Sequence, residues 1–122
     1  MKIPGPDHPI TVTLNPKRVR ARIDGHVIAD TTEAMSLQEA SYPAMNYFPR
    51  KDVEMGFFAK TALHTACPFK GEASYYTITI DGNVMENVVW SYEDPYPHMQ
   101  AIKELIAFYP DKVEVYEVED EA

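Results

Sequence analysis

The residues best suited to chemistry lie in one short turn, Cys67-Pro68-Phe69-Lys70-Gly71. Cys67 is the only cysteine of the chain. It can act as a nucleophile if a nearby cation, Lys70 or His64, stabilises its thiolate. The alternative is that a lone cysteine beside a proline is a small buried apolar residue. The sequence makes Cys67 a candidate catalytic residue and leaves the alternative open.

Lys70 is the second candidate, because Pro68 and Gly71 predict a tight turn that presents its ammonium group outward. Such a lysine can neutralise a carboxylate or phosphate, or act as a base if it is buried. Glu39 is a candidate partner carboxylate for it. The alternatives are an exposed turn lysine and a surface glutamate at the end of a strand.

Metal binding is the third chemistry to weigh, since His64 and Cys67 have the spacing of half a zinc site. A structural site needs four ligands, usually as two such pairs, and the other histidines form no second pair. No Gly-rich phosphate loop is present either. We expect no metal and no other cofactor.

An aromatic-lined binding pocket is the interpretation that we favour. Aromatic side chains supply contact area, and their hydroxyl groups need polar partners, which a half-polar pocket provides. The predicted ligand-binding residues are Tyr47, Lys70, Tyr75, Tyr76, Asn87, Trp90 and Tyr92.

Two hairpins are expected to position these residues. Asp24-Gly25 and Asp81-Gly82 are strong hairpin signals, and each lies between stretches of alternating or β-branched residues. In the second hairpin a regular register pairs Ile80 with Asn83 and Ile78 with Met85. The same register pairs Tyr76 with Asn87 and Tyr75 with Val88, which would bring Tyr76 and Asn87 to one face beside the Cys67 turn.

The remaining elements predict a mainly β (α+β) domain of antiparallel sheets. Met99, Ile102, Leu105, Ile106 and Tyr109 recur at helical spacing, which predicts one helix between Asp94 and Pro110 in the C-terminal half. Four prolines predict that residues 1–16 are an extended arm. Residues 17–118 form the single domain, and residues 119–122 an acidic tail.

The composition limits the cellular compartment and the classes of binding partner that we expect. The chain of 122 residues has 11 Lys and Arg against 19 Asp and Glu, a net charge of -8, which disfavours nucleic acid as a partner. No apolar run reaches the ~20 residues that span a bilayer, so we expect no membrane partner. One free cysteine and no apolar leader are typical of a cytoplasmic protein.

Several motifs in a fixed order resemble a bacterial family of small domains, domain-of-unknown-function family 427. The resemblance runs from about Val19 to Tyr116. Its motifs are Tyr47-Phe48-Pro49 with Asp52-Val53, Cys67-Pro68-Phe69-Lys70-Gly71 with Ala73-Ser74-Tyr75, Asn87 with Trp90-Ser91-Tyr92 and Asp94-Pro95, and Ala107-Phe108-Tyr109. The family usually has tyrosine where this chain has Phe69, so any role of that hydroxyl is absent here.

The resemblance implies a fold of the β-tent type, in which two antiparallel sheets meet at an angle. Many relatives hold zinc with two Cys-x-x-Cys pairs, which a chain with one cysteine cannot do. The reductase members of that group have a catalytic cysteine motif that is not recognisable around Cys67. The family is also described as nucleotidyltransferase-like, but the Gly-Ser turn and metal-binding acidic pair of that chemistry are not found.

Three functions remain open on the sequence. We favour a binding module for a small polar or anionic ligand. The second is an enzyme that uses Cys67 or Lys70 as nucleophile or base, with Glu39 or His64 assisting. The third is a protein-interaction module, or a weak homodimer, that uses the Arg18/Arg20/Arg22 face or a sheet edge.

Overall fold

A computed structural model describes residues 1–119 of the chain as an assembly of three antiparallel sheets. The mainly β prediction is therefore confirmed. The ten strands are β1 (Ile10–Asn15), β2 (Val19–Ile23), β3 (His26–Thr31), β4 (Ala34–Glu39), β5 (Met45–Tyr47), β6 (Phe58–Cys67), β7 (Gly71–Ile80), β8 (Asn83–Ser91), β9 (Ala107–Phe108) and β10 (Glu114–Glu117). The sheets have the orders β1-β4-β5, β10-β2-β3 and β6-β7-β8-β9.

Three sheets form instead of the expected two because the chain turns sharply at two corners. After β1, the Lys17 backbone N–H donates to the Asn15 side-chain oxygen over 3.1 Å. After β3, the Glu33 backbone N–H donates to the Thr31 hydroxyl over 2.9 Å. Such side-chain turns redirect the backbone within two residues. The first corner therefore sends β1 and β2 to different sheets, and the second corner does the same for β3 and β4.

The segment expected as an extended arm is partly a strand. β1 pairs with β4 in antiparallel register, with Ile10 opposite Glu39 and Asn15 opposite Ala34. Residues 10–15 thus belong to the domain. The acidic tail predicted for residues 119–122 lies, beyond Glu119, outside the described residues.

The helix predicted between Asp94 and Pro110 is wrong in length and type. A short 3₁₀-helix spans Pro97–Ile102 and is already irregular at Met99. Glu104 then has a left-handed φ of 67°, and the chain continues into β9. Tertiary packing explains the failure, because the apolar residues divide between two cores. Ile102 packs in one core and Ile106 in the other, whereas a helix would place them on one stripe.

The two cores lie on opposite faces of the four-stranded sheet. Alternation along β7 sends Tyr76 to the first core and Tyr75 to the second. The first core fills the space against β2 and β3 and contains Phe48 and Phe108. The second core lies against the β1-β4-β5 sheet. The candidate site is built on this second side.

The described residues include no helix that is long and apolar enough to cross a membrane.

Candidate functional site

The Cys67–Gly71 turn joins β6 to β7, with Cys67 directly opposite Gly71 in the register. Gly71 has a φ of 116°, and a Cβ at this position would lie 3.4 Å from the Pro95 Cα. The Tyr96 backbone N–H donates to the Lys70 carbonyl over 3.1 Å. This fixed turn directs the Lys70 side chain inward, where the residue is only 9% exposed. The outward orientation expected from the sequence is wrong.

Lys70 forms an ion pair with Glu39, as the sequence analysis had suggested. The Lys70 ammonium donates to Glu39 Oε1 over 2.5 Å, and His8 Nε2 contacts Glu39 Oε2 at 2.8 Å. Burial opposes ionisation of Glu39, but the hydrogen bonds from Lys70 and His8 outweigh it and hold its pKa below the usual value. Glu39 is therefore a carboxylate at neutral pH, with both oxygens engaged.

A hollow of about 230 Å³ lies beside this ion pair. Its walls are mainly aromatic, and the Lys70 ammonium lies 5.7 Å from the centre of the Tyr92 ring. The Trp90 and Tyr109 rings pack 4.7 Å apart at one side. The lining residues are Leu37, Glu39, Tyr42, Pro43, Met45, Tyr47, Lys70, Tyr75, Trp90, Tyr92 and Tyr109.

Two hydroxyl groups of the hollow, those of Tyr47 and Tyr92, have a proton that no hydrogen bond within residues 1–119 uses. The Trp90 indole N–H donates to the Tyr47 hydroxyl over 3.2 Å, which leaves the Tyr47 proton for another acceptor. No hydrogen bond joins the Tyr92 hydroxyl to another residue within 1–119, although Tyr92 is only 7% exposed. Burial raises the pKa of Tyr47 and of Tyr92, so both remain protonated at neutral pH. Burial and the nearby Tyr75 hydroxyl also raise the pKa of Tyr109 to about 12.

Five of the seven predicted ligand-binding residues line this hollow. They are Tyr47, Lys70, Tyr75, Trp90 and Tyr92, and the catalytic candidate Glu39 joins them. In addition, the Tyr75 hydroxyl is engaged with the Thr65 hydroxyl at 2.8 Å. The sequence analysis thus named six of the eleven residues that line the hollow, and their role in ligand binding stays a prediction.

Tyr76 and Asn87 do not line the hollow. A bulge in the β7–β8 pairing places Tyr76 opposite Val89 and Tyr75 opposite Trp90, whereas the register from Ile78 to Asn83 is as predicted. Asn87 lies in the bulge with a left-handed φ of 55°, and its side chain accepts a hydrogen bond from Thr61. Asparagine tolerates this conformation better than most residues. The bulge shifts every pair beyond it and separates Tyr76 from Asn87.

Tyr76 belongs instead to a charged cluster on the opposite face of the sheet. Its hydroxyl donates to Glu93 over 2.5 Å, and Arg50 and Lys60 also bind that carboxylate, at 2.9 and 2.5 Å. Burial of Glu93 opposes ionisation, but the bonds from Lys60, Tyr76 and Arg50 lower its pKa to about 2. We attribute a structural role to this cluster, because its charges are mutually paired.

The structure does not bring Cys67 and His64 together. They are three residues apart on β6, so their side chains point to opposite faces of the strand. His64 Nδ1 lies 3.3 Å from Glu72, and Cys67 is half-buried against the second core. Among residues 1–119, no group of three or more His, Cys, Asp or Glu side chains is arranged to hold a metal ion.

The arginine face of β2 is paired with acids. Arg18 and Arg20 both bind Asp30, and Arg22 binds Glu114. These ion pairs agree with the simpler interpretation of a strand with an arginine at every second position, in which nearby acids neutralise the arginine charges at the surface.

Sequence reasoning missed three polar or aromatic residues: Tyr42 and Tyr109, which line the hollow, and His8, which contacts Glu39. Tyr109 had been assigned to the predicted helix, and His8 to an arm without regular structure. The missing information was the pairing of β1 with β4, since the Ile10–Glu39 pair brings His8 to the end of β4. No local pattern in the sequence specifies that pairing.

Comparison with known proteins agrees with the resemblance seen in the motifs. A search of curated proteins gives no match. A family profile, by contrast, matches residues 11–119, which include every residue that lines the hollow. The chain therefore belongs to the family described as Domain of unknown function (DUF427).

Proposed function

We propose that the domain binds a small polar or anionic molecule in the aromatic hollow beside Lys70. The proposal places this activity in the cytoplasm, in keeping with the single free cysteine. It assigns contact roles to Tyr47, Lys70, Tyr92 and Trp90.

The observation that carries the proposal is a set of hydrogen-bond donors on the wall of the hollow. The Tyr92 residue is only 7% exposed, lines the hollow, and has no hydrogen-bond partner for its hydroxyl within residues 1–119. Tyr47 and Lys70 line the same hollow; the Tyr47 hydroxyl accepts from Trp90 and keeps its own proton, and the Lys70 ammonium has more protons than its bond to Glu39 uses. Within residues 1–119 no fully buried side-chain nitrogen or oxygen lacks a partner, so the unused donors are those that solvent or a ligand can reach. A ligand that brings oxygen acceptors would satisfy these donors.

The size of the hollow limits the ligand. Sites for drug-sized molecules have volumes of roughly 300–1,000 Å³. The hollow has about 230 Å³ and therefore suits a compact metabolite with one ring or a short chain. The aromatic walls favour a flat or apolar body, because rings contribute large contact areas with few rotatable bonds.

Two observations favour binding over covalent catalysis. The Lys70 side-chain nitrogen is held in an ion pair with Glu39, so it is not free to attack a substrate. Cys67 packs against the second core and is not among the residues that line the hollow. Thiol labelling of the folded protein checks the second point, since rapid labelling near neutral pH would support the enzyme alternative.

The experiment is an NMR titration with three probes that share one phenyl ring and differ in charge: benzoate, benzamide and benzylamine. The single tryptophan gives one indole N–H signal, and it lies in the wall of the hollow. We expect benzoate to shift this signal most, benzamide less and benzylamine least, because the site offers donors. Absence of any shift at millimolar probe would refute the proposal.

A matched pair of variants identifies the contact. Tyr92→Phe removes one hydroxyl from the hollow, whereas Tyr116→Phe removes one beside Arg22 in another sheet. A hydrogen bond to a charged group contributes about 1.5–3 kcal/mol, so Tyr92→Phe should weaken benzoate binding roughly tenfold or more. Tyr116→Phe should leave it unchanged. Equal effects of the two variants would mean that benzoate binds elsewhere.

A further inference from the structure

His8 is held against the site by a firmly placed arm. Its ring stacks on Phe69, with ring centres 4.2 Å apart and planes at 10°. The Lys2 backbone N–H donates to the Pro68 carbonyl over 2.7 Å, and the Ala40 N–H donates to the Pro9 carbonyl over 2.8 Å. His8 precedes the region that the family profile matches.

His8 reaches the hollow only through Glu39. It is not among the lining residues, but its Nε2 contacts one carboxylate oxygen of Glu39 while Lys70 occupies the other. The other ionisable groups near it are Lys2 and Asp7 on the same arm, and His98, whose Nε2 lies 2.8 Å from the Phe69 carbonyl oxygen. The Lys2 ammonium lies 5.9 Å from the centre of the Phe69 ring. The charge of His8 therefore acts on Lys70 through one shared carboxylate.

We propose that His8 is a positioning residue that makes the hollow bind an anion together with one proton. This inference rests on the proposed function. With neutral His8, the charges of Glu39 and Lys70 cancel, and the site has no net charge to offer. With protonated His8, the three groups sum to +1, because His8 compensates Glu39 and leaves the positive charge of Lys70 for the ligand.

The proposal fixes the class of ligand and the direction of the pH effect. A carboxylate or another oxyanion gains from the extra charge, whereas a neutral ligand does not. Histidine side chains change charge between about pH 5 and 8. A bound anion and a charged imidazole attract each other, an effect on the order of tenfold in binding affinity. We therefore expect benzoate to bind about tenfold more tightly below this range than above it.

The test is the pH dependence of benzoate affinity in three proteins, followed by the Trp90 indole signal. In the native protein, affinity should rise about tenfold on acidification, and benzamide affinity should stay level. His8→Gln keeps a donor for Glu39 but does not titrate, so benzoate should bind with an affinity close to that of the neutral-His8 form at every pH. If His8 had only a structural role, the His8→Gln replacement would lower benzoate affinity equally at all pH values.

His26→Gln is the matched control. His26 also contacts a carboxylate, Asp81, at 2.7 Å, but that pair lies at the hairpin turns and not among the lining residues. This variant should keep the pH profile of the native protein. A pH profile that persists in His8→Gln would overturn the inference.

The His8 ring signal separates the two proposals. If benzoate shifts both the Trp90 signal and the midpoint of the His8 titration to higher pH, both hold. If the Trp90 signal shifts and the His8 midpoint does not, the binding site stands and the role of His8 is refuted. If none of the probes shifts the Trp90 signal, the proposed function fails, and the inference fails with it.

Discussion

Replacing Glu39 by glutamine should separate stability from ligand binding, because the same carboxylate supports the fold and opposes an anion. The side chains of Lys70 and Glu39 are only 11% and 18% exposed. Glutamine has nearly the same shape and can still accept a hydrogen bond from Lys70. What it removes is the negative charge that compensates a largely buried ammonium.

The expected loss of stability follows from this burial. Removing one partner of a fully buried ion pair costs about 3–5 kcal/mol, and a hydrogen bond to a charged group is worth about 1.5–3 kcal/mol. The pair retains some contact with water, and glutamine keeps one hydrogen bond. We therefore expect Glu39→Gln to lower the free energy of unfolding by roughly 1–3 kcal/mol. Each kcal/mol corresponds to roughly 4 °C in Tm for a domain of this size.

Anion binding should change in the opposite direction. A unit charge ~6 Å from the bound anion contributes about 1.4–2.8 kcal/mol at an effective dielectric constant of 20–40. Removing that repulsion should strengthen benzoate binding by about ten- to a hundredfold. Urea unfolding at pH 7 measures the stability, and the NMR titration measures the affinity.

The control is Glu33→Gln, which breaks the surface pair with Lys51, where the side chains are 55% and 65% exposed. Exposed pairs contribute about 0–1 kcal/mol, so this variant should be close to the native protein in both assays. A Glu39→Gln variant as stable as the native protein would refute the importance of the buried pair. A variant that binds benzoate more weakly would refute the argument that Glu39 limits anion binding.

Two further predictions concern the scaffold of the site. Glu93→Gln should cost about 1–2 kcal/mol at pH 7, a value reduced for solvent screening because the Glu93 side chain is 23% exposed. Because folding lowers the pKa of Glu93 from 4.5 to about 2, its contribution to stability is present above pH 4.5 and is lost as pH falls towards 2. Urea unfolding should therefore show that the difference in stability between native and variant protein shrinks from pH 7 to pH 3. A difference that stays constant would contradict the role assigned to the Glu93 carboxylate. Gly71→Ala should lower stability by about 1–3 kcal/mol, because it combines a left-handed φ with a close approach to Pro95. Gly56→Ala, where a new Cβ meets nothing within 4 Å, is the control, and equal melting temperatures of the two variants would show that the turn adapts without strain.

The hairpins were predictable because their signals are local. Asp-Gly pairs form the turns of β2–β3 and β7–β8, with both residues of each turn at positive φ. The register next to each turn followed from the two-residue loop. About half of the residues that line the hollow were also predictable, because the strands that begin at Gly71 and end at Ser91 belong to one sheet.

The rest depended on contacts between residues distant in the chain. The sequence around Asn87 contains no signal for a bulge, yet that bulge determines that Tyr75 pairs with Trp90 and that Tyr76 does not pair with Asn87. The apolar spacing from Met99 to Tyr109 matches a helix, but two cores compete for these side chains and leave a single 3₁₀-helix. The inward orientation of the Lys70 side chain depends on the hydrogen bond from the Tyr96 backbone to the Lys70 carbonyl, and these two residues are distant in the sequence.

Strand β7 has structural consequences beyond the site, since Tyr75 and Tyr76 are neighbours in the chain and serve different cores. A deletion or insertion of one residue in β7 would send the side chains of the first core to the second core and the reverse, and neither core could accept the side chains of the other. The rim of the hollow, where Tyr42 is 63% exposed, is not subject to this constraint. Changes of ligand preference during evolution should accordingly be concentrated in the segments that border the opening.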